Sequence, residues 1–382
     1  MAPKDLAIQT SRRLHVLHVS VPTTGGVATV ATSYVRDQVE RGWNVTVACP
    51  SYGDLGYSAR EAGATVRWWR ASGHSGGLAG EVVRLSRIVA DTRADVVHLH
   101  SGKAGFAGRL VVRDRIPTVF QPHAWAFLDP RTGVRRASLN WERYAARWTT
   151  ELVCVSRTER QLGESLRVNA PTTVLPNGID LSHFRPGGSS DRVAARKVLG
   201  LEDVPTVVCV GALTVQKGQQ DLLADWPQIR ARVPDARLIL VGGGPDRAAL
   251  ERLAEGVPGV AFAGARTDVP TWLTAADVVV IPSRWEGMAL VPLEAMACAR
   301  SVVATDVNGV RESIPPGAGA IVALDDGPSL VEAVVRRLGD PQMAQLEGWA
   351  GRSHVETHHD VTNSARELAR VYLRLVGARR AR

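Results

Sequence analysis

Two carboxylates eight residues apart, Glu286 and Glu294, sit in the segment of this 382-residue chain where chemistry is most concentrated, PSRWEGMALVPLEAMA (282–297). A buried-strand pattern ends at Pro282 and a loop holds Glu286-Gly287. A helix is expected to begin near Pro292, with Glu286 before it and Glu294 in its first turn. The free N–H groups and positive end of such a helix start can hold a phosphate. A carboxylate placed there can accept hydrogen bonds from the vicinal hydroxyls of a ribose or hexose. The same acids also suit an ordinary helix start, where the macrodipole favours negative charge. The two residues alone do not choose between these readings.

A second segment, VGALTVQKGQQDLL (210–223), joins a strand end to a helix through Lys217-Gly218. Its shape is that of a phosphate cradle with Lys217 as counter-charge, although the GxxxxGK[ST] order of a Walker loop is absent. In TTGGVATV (23–30), Gly25-Gly26 before a helix lets backbone approach a ligand, but a tight strand–helix turn needs the same glycines. The GGGPDRAAL run (242–250) reads more simply as a loop. His123 follows a strand, and a lone histidine there, one of ten in the chain, is more often structural than chemical.

The elements that must carry these residues alternate along the whole chain. LHVLHVSV (14–21), NVTVAC (44–49), ATVRWW (64–69), DVVHLH (95–100), PTVFQ (117–121) and ELVCVS (151–156) read as strands. Helices are expected between them, as at 27–42 and 79–93. The pattern breaks at LPNGIDLSHFRPGGSSD (175–191), a linker by composition. It resumes with PTVVCVG (205–211), RLILVG (237–242), VAFAG (260–264), DVVVIP (277–282) and SVVATD (301–306). The fold class is therefore α/β, with two Rossmann-like domains at 1–186 and 187–362, each a parallel sheet covered by helices. Residues 363–382 form a closing helix expected to pack back toward the first domain.

The charge lies unevenly. Residues 1–188 hold 24 basic and 15 acidic groups, so the formal excess of +8 belongs to the first half. An anionic membrane or anionic acceptor surface competes with compositional drift as the reason. Nucleic acid is not expected, since no helix-turn-helix, zinc or RNP-type signature is present. Only four of the 46 basic residues are lysine, a bias typical of GC-rich bacterial coding. Cys49, Cys154, Cys209 and Cys298 stand singly in apolar stretches and read as buried thiols. With no apolar run of membrane-spanning length and no signal-peptide pattern, the expected location is the cytoplasm, with peripheral membrane contact through the basic half.

Taken in order, these segments resemble the family 4 glycosyltransferases of the GT-B fold. The matching pieces are GGVATVATSYVRDQVERGWNVTVACP (25–50), VVHLHSGKAGFAGRL (96–110), PHAWAF (122–127), LVCVSRTER (152–160), LPNGID (175–180), VGALTVQKG (210–218), VGGGPDRAAL (241–250), AADVVVIPSRWEG (275–287) and PLEAMA (292–297). The resemblance implies two domains facing each other across a cleft. It implies Glu294 on the nucleotide ribose, Glu286 on the donor-sugar hydroxyls and Lys217 on the diphosphate. The backbone of Met288, Ala289, Leu290 and Val291 would meet sugar and phosphates, together with the Gly25-Gly26 turn. Arg266 would lie near the base, and His123 would orient the donor sugar. The HSGKAGFAGR…PHAWAF combination is similar to enzymes that extend polyprenyl-diphosphate-linked saccharides. Three positions depart from the family: Ala212 where Arg is usual, Ala124 where Gly is common, and Asn308-Gly309 in place of Gly-Gly ahead of Glu312.

The resemblance thus implies retaining transfer from a nucleoside-diphosphate sugar, with UDP favoured over GDP, to a hydroxyl acceptor. No permanently bound cofactor and no metal are expected, since no two aspartates are separated by one residue as a DxD clamp requires. A same-fold sugar-nucleotide epimerase and a non-catalytic nucleotide-sugar-binding partner, the latter suggested by Ala212, remain rivals. A nicotinamide dehydrogenase is disfavoured because no GxGxxG fingerprint follows the first strand.

Overall fold

A computed structural model describes residues 13–71, 77–130 and 132–380. Valine-rich runs, buried on both sides, supply the central strands, as parallel sheets require. In the first half these are β1 (His15–Ser20), β2 (Asn44–Cys49), β3 (Thr65–Trp68), β4 (Val96–His100), β5 (Thr118–Gln121), β6 (Glu151–Cys154) and β7 (Thr172–Val174). In the second they are β8 (Thr206–Val210), β9 (Arg237–Val241), β10 (Val260–Gly264), β11 (Val278–Ile281), β12 (Ser301–Thr305) and β13 (Gly319–Val322).

The first sheet runs β3-β2-β1-β4-β5-β6-β7 and the second β10-β9-β8-β11-β12-β13, with every pairing parallel. In both, strand order reverses beside the first strand, between β1 and β4 and between β8 and β11. A crevice opens at the carboxyl ends of the strands at such a reversal, and ligands lodge there. The two reversals face each other. A Cβ on Gly26, one residue into the helix that follows β1, would stand 3.5 Å from the Leu290 side chain, which follows β11.

β7 and β13 were not among the expected strands. TTV and GAIV are short, half-exposed edge segments beside proline, too brief to show a period. The 175–191 linker is packed rather than loose. Leu175, Asn177, Ile179 and Phe184 are buried. Ile179 N–H donates to the His359 carbonyl (2.8 Å), His359 Nδ1 lies 2.9 Å from the Asn177 carbonyl oxygen, and a helix starts at Ser189.

The helix Val361–Arg380 lies against the first domain. Tyr372 is buried with its hydroxyl 2.6 Å from His98 Nδ1, and Arg374 pairs with Glu151 at 3.0 Å. A single apolar cluster runs from Val16 and Tyr34 through Leu290, Leu293 and Leu368 to Val208 and Val279. Elsewhere in the first domain, Arg109 and Glu142 form a fully buried ion pair at 2.8 Å that holds helix Ser101–Val112 to helix Thr132–Ala145. All four cysteines are buried free thiols.

Candidate functional site

On the second domain's side, the loops after β8 and β11 close onto each other. Gly218 has φ +65°, and a Cβ there would meet the Pro282 carbonyl oxygen at 1.9 Å, so only glycine lets the loops touch. Arg284 forks onto Asp221 at 2.9 and 2.7 Å, and Gln216 donates to the Trp285 carbonyl at 2.9 Å. These ties set Lys217 Nζ 2.5 Å from Glu286 Oε1, with Glu286 buried and Lys217 partly open.

The helix after this loop spans Leu290–Ala297 and begins two residues before the expected Pro292. Proline is tolerated inside a first turn because its missing N–H has no partner to lose there. Glu294 accordingly sits in the second turn rather than the first. Among the described residues no side chain caps the start at Ala289, so the Leu290 and Val291 N–H groups stay available. Burial pushes the Glu294 pKa up to about 7, opposed by the positive field of Lys217. The structure thus brings Lys217, Glu286, Glu294 and the 288–291 backbone together. Asn177 fixes that backbone from the first domain by donating to the Met288 carbonyl at 2.8 Å.

Facing them is a file of histidines: His18 within β1, His100 at the end of β4 and His123 two residues past β5. His123 Nε2 lies 3.0 Å from His100 Nδ1, His100 Nε2 lies 2.9 Å from His18 Nδ1, and His18 Nε2 lies 2.9 Å from Gln38 Oε1. Because the Gln38 oxygen can only accept, His18 Nε2 must donate, and each ring then donates through Nε2 and accepts at Nδ1. His123 ends the chain with a protonated Nε2 and a bare Nδ1. Burial lowers the pKa of these three rings and of neighbouring His98, His18 to about 4 and His123 to about 3, with mutual repulsion adding to it for His98 and His100. His123 is therefore neutral at physiological pH, a hydrogen-bonding group rather than an acid. Its backbone is held at φ +59°, followed by Ala124 at +154°. Glycine would relieve the latter, which is where the family's preference for glycine would act.

The ligand atoms of His18, His98 and His100 lie within 4.8 Å of one another, close enough to converge on a metal ion. Five of their six ring nitrogens are already hydrogen-bonded, and His98 and His100 stack at 4.0 Å. The arrangement is that of a hydrogen-bonded stack.

Reading the sequence missed the contacts that join the domains. A Cβ on Gly287 would stand 2.8 Å from the His123 carbonyl and 2.9 Å from Glu159 Oε1. Ser156 Oγ donates to the Gly287 carbonyl at 3.0 Å. Glu312 accepts from the Arg157 and Thr158 N–H groups (2.8 and 3.0 Å) at the start of helix Arg157–Ser165, a carboxylate on the positive end of a helix in the other domain. Glu159 is fully buried, donated to by the Val155 N–H at 2.8 Å, and burial lifts its pKa to about 8. The Ser156-x-x-Glu159 spacing of a capping box was visible in the sequence. The partner across the cleft was not.

Arg266 stands apart from this constellation. It is exposed on the loop after β10, two strands from β8, and forks onto Asp268 at 2.8 Å with Trp272 beneath it. At Ala212 only the carbonyl is engaged, accepting from buried Gln219 at 3.0 Å.

The sequence matches the family described as Glycosyltransferase Family 4 over residues 24–183, and the one described as Glycosyl transferases group 1 over 204–340. It is 38% identical over 193 residues to a GDP-mannose-dependent monoacylated alpha-(1-6)-phosphatidylinositol monomannoside mannosyltransferase of Corynebacterium glutamicum, covering 48% of this chain and 51% of that one. The chain thus aligns with about half the length of that relative. It is 32% identical over 251 residues to the lipopolysaccharide core biosynthesis mannosyltransferase LpsB of Rhizobium meliloti, covering 62% of this chain and 69% of that protein. The crystal structure of Anabaena HepE in complex with UDP-glucose superposes with a TM-score of 0.81 at 21% identity, over 94% of this chain and 99% of the other. The chain belongs to the family 4 glycosyltransferases of the GT-B fold. Among the described residues, no helix is long and apolar enough to cross a membrane.

Proposed function

We propose that this protein transfers a sugar from a nucleoside-diphosphate sugar to a hydroxyl acceptor with retention of anomeric configuration. The observation that carries the reading is the meeting of Lys217, Glu286 and Glu294 at an uncapped helix start, opposite the neutral His123. Lys217 and the Leu290 and Val291 N–H groups would neutralise the diphosphate as it departs. Glu294 would accept from the ribose hydroxyls and Glu286 from the sugar hydroxyls, with His123 orienting the sugar. Arg266 would lie beside the base once turned from Asp268. As the bond from the anomeric carbon to phosphate oxygen breaks, its electron pair leaves with the diphosphate. The acceptor oxygen bonds to that carbon from the same face, and its proton passes to the departing phosphate oxygen. This chemistry calls for no metal.

The proposed donor is a UDP- or GDP-sugar. GDP-mannose is the first to test, because the first relative is named for it. A lipid-linked saccharide is the proposed acceptor, met at the inner membrane face through the basic first domain. Purified protein would be incubated with GDP-mannose and UDP-hexoses, synthetic polyprenyl-diphosphate and phosphoinositide acceptors, and EDTA. An α-linked product is expected. A β-linked product, or strict dependence on a divalent ion, would overturn the mechanism. The missing guanidinium at Ala212 favours a second reading, nucleotide-sugar binding without turnover, which would give binding and no product with any acceptor.

A further inference from the structure

A cavity of about 400 Å3 opens at the end of the second sheet opposite the cleft, beside Pro205, Asp277 and Ser301 at the N-terminal ends of β8, β11 and β12. Four guanidinium groups line it, from Arg192, Arg196, Arg300 and Arg337. Carboxylates answer three of them. Arg192 pairs with Asp277 at 3.1 Å, Arg196 with the same Asp277 at 2.6 Å and with Asp203, and Arg337 with Glu347 at 2.7 Å.

Arg300 has no such partner among the described residues. It is only 6% exposed, its Nη2 donates to the Gly187 carbonyl at 2.5 Å, and its Nε, closed to solvent, has no hydrogen-bond partner among the described residues. Burial and the neighbouring Arg192 pull its pKa down to about 10, so it still carries its charge at neutral pH. A buried guanidinium with no carboxylate paired to it is costly unless something anionic answers it. Trp349, 47% exposed, offers a flat ring on the same wall, and the space is far larger than a bare phosphate needs.

We propose that this cavity binds a phosphorylated sugar, its phosphate held by Arg300 and Arg192 and its ring laid against Trp349. The inference does not depend on the function proposed for the cleft. The site nevertheless reaches the cleft through one short element. Arg300 N–H donates to the Ala295 carbonyl at 2.9 Å, closing the helix whose first residue, Leu290, faces the first domain. Occupancy would therefore act on the far end of the helix that starts at Leu290.

Calorimetric titration of the full chain with glucose 1-phosphate, mannose 1-phosphate and inorganic phosphate tests this. The protein would be wild type, Lys217→Ala, Arg300→Gln and Arg192→Ser. A hexose 1-phosphate is expected to bind wild type and Lys217→Ala alike, and to bind each arginine variant at least tenfold more weakly. Inorganic phosphate is expected to bind at least tenfold more weakly than the sugar ester. Arg192 is a partly exposed residue, so its variant decides the matter if Arg300→Gln does not fold. The proposal is overturned if wild type binds none of the probes at millimolar concentration. It is equally overturned if Lys217→Ala abolishes binding while the arginine variants keep it, or if inorganic phosphate binds as tightly as the sugar ester.

Discussion

The two strand reversals that face each other are alike in topology and opposite in chemistry. Between β1 and β4 the first domain stacks neutral imidazoles whose protons are fixed in one direction by Gln38. Between β8 and β11 the second domain places charge: Lys217 on Glu286, Arg284 on Asp221, and a bare helix start. A shared fold therefore dictates where a ligand lodges and leaves its type to the loop residues. The charged side suits a diphosphate. The neutral side offers hydrogen bonds without charge, which suits the hydroxyls of a sugar.

The largest expected effect falls on the charged side. Lys217→Ala should lower transfer kcat/KM on the order of a hundred- to thousandfold, the usual cost of losing one group that stabilises developing charge. Far-UV circular dichroism should be unchanged. His123→Ala should cost less, about ten- to a hundredfold, corresponding to one oriented hydrogen bond. Because His123 stays neutral down to about pH 3, the wild-type rate should show no histidine ionisation near pH 6.5 arising from this ring. A rate that tracks a group near 6.5 and loses that dependence in His123→Ala would break the contrast.

Smaller effects concern the Glu312 contact between the domains and the pH profile of stability. Glu312→Ala leaves the first turn of helix 157–165 without its carboxylate and should destabilise the protein by about 1–2 kcal/mol, read from urea midpoints. The histidine stack gives stability that is full above the unfolded histidine pKa of about 6.5 and is lost as pH falls toward the folded values of about 4 and 3. Urea midpoints should therefore decline from pH 6.5 to 4, and His18→Gln should flatten part of that decline. Glu159 acts in the opposite direction. With its folded pKa raised to about 8, its contribution is full below about pH 4.5 and is lost as pH rises through 8, so Glu159→Gln should gain relative stability at the alkaline end.

Much of this was legible before any coordinates. Buried valine runs announced the central strands, and E-x7-E spacing with Lys217-Gly218 marked the charged side. The short edge strands β7 and β13 carried too little period to read. Pro292 misplaced the helix start because a proline marks the first turn without saying which of its residues it occupies. The histidine file was written as VHLH on one strand, with single histidines elsewhere. Only the folded sheet brings them together: the parallel register sets His18 beside His98, two residues before His100, and His100 beside Gln121, two residues before His123. The contacts of Glu312 with Arg157 and Thr158 stayed hidden, because sequence cannot show the opposite domain. The packing of 175–187 was hidden for the same reason, its partners lying near residue 359.

The central claim is that the charged side holds a nucleoside diphosphate through Glu294 and Lys217. Titration of wild type and Glu294→Ala with GDP and UDP in EDTA tests it most directly. One nucleotide should bind wild type and weaken at least tenfold in the variant. Equal affinity in the two proteins, or no binding of either nucleotide to wild type, would contradict it.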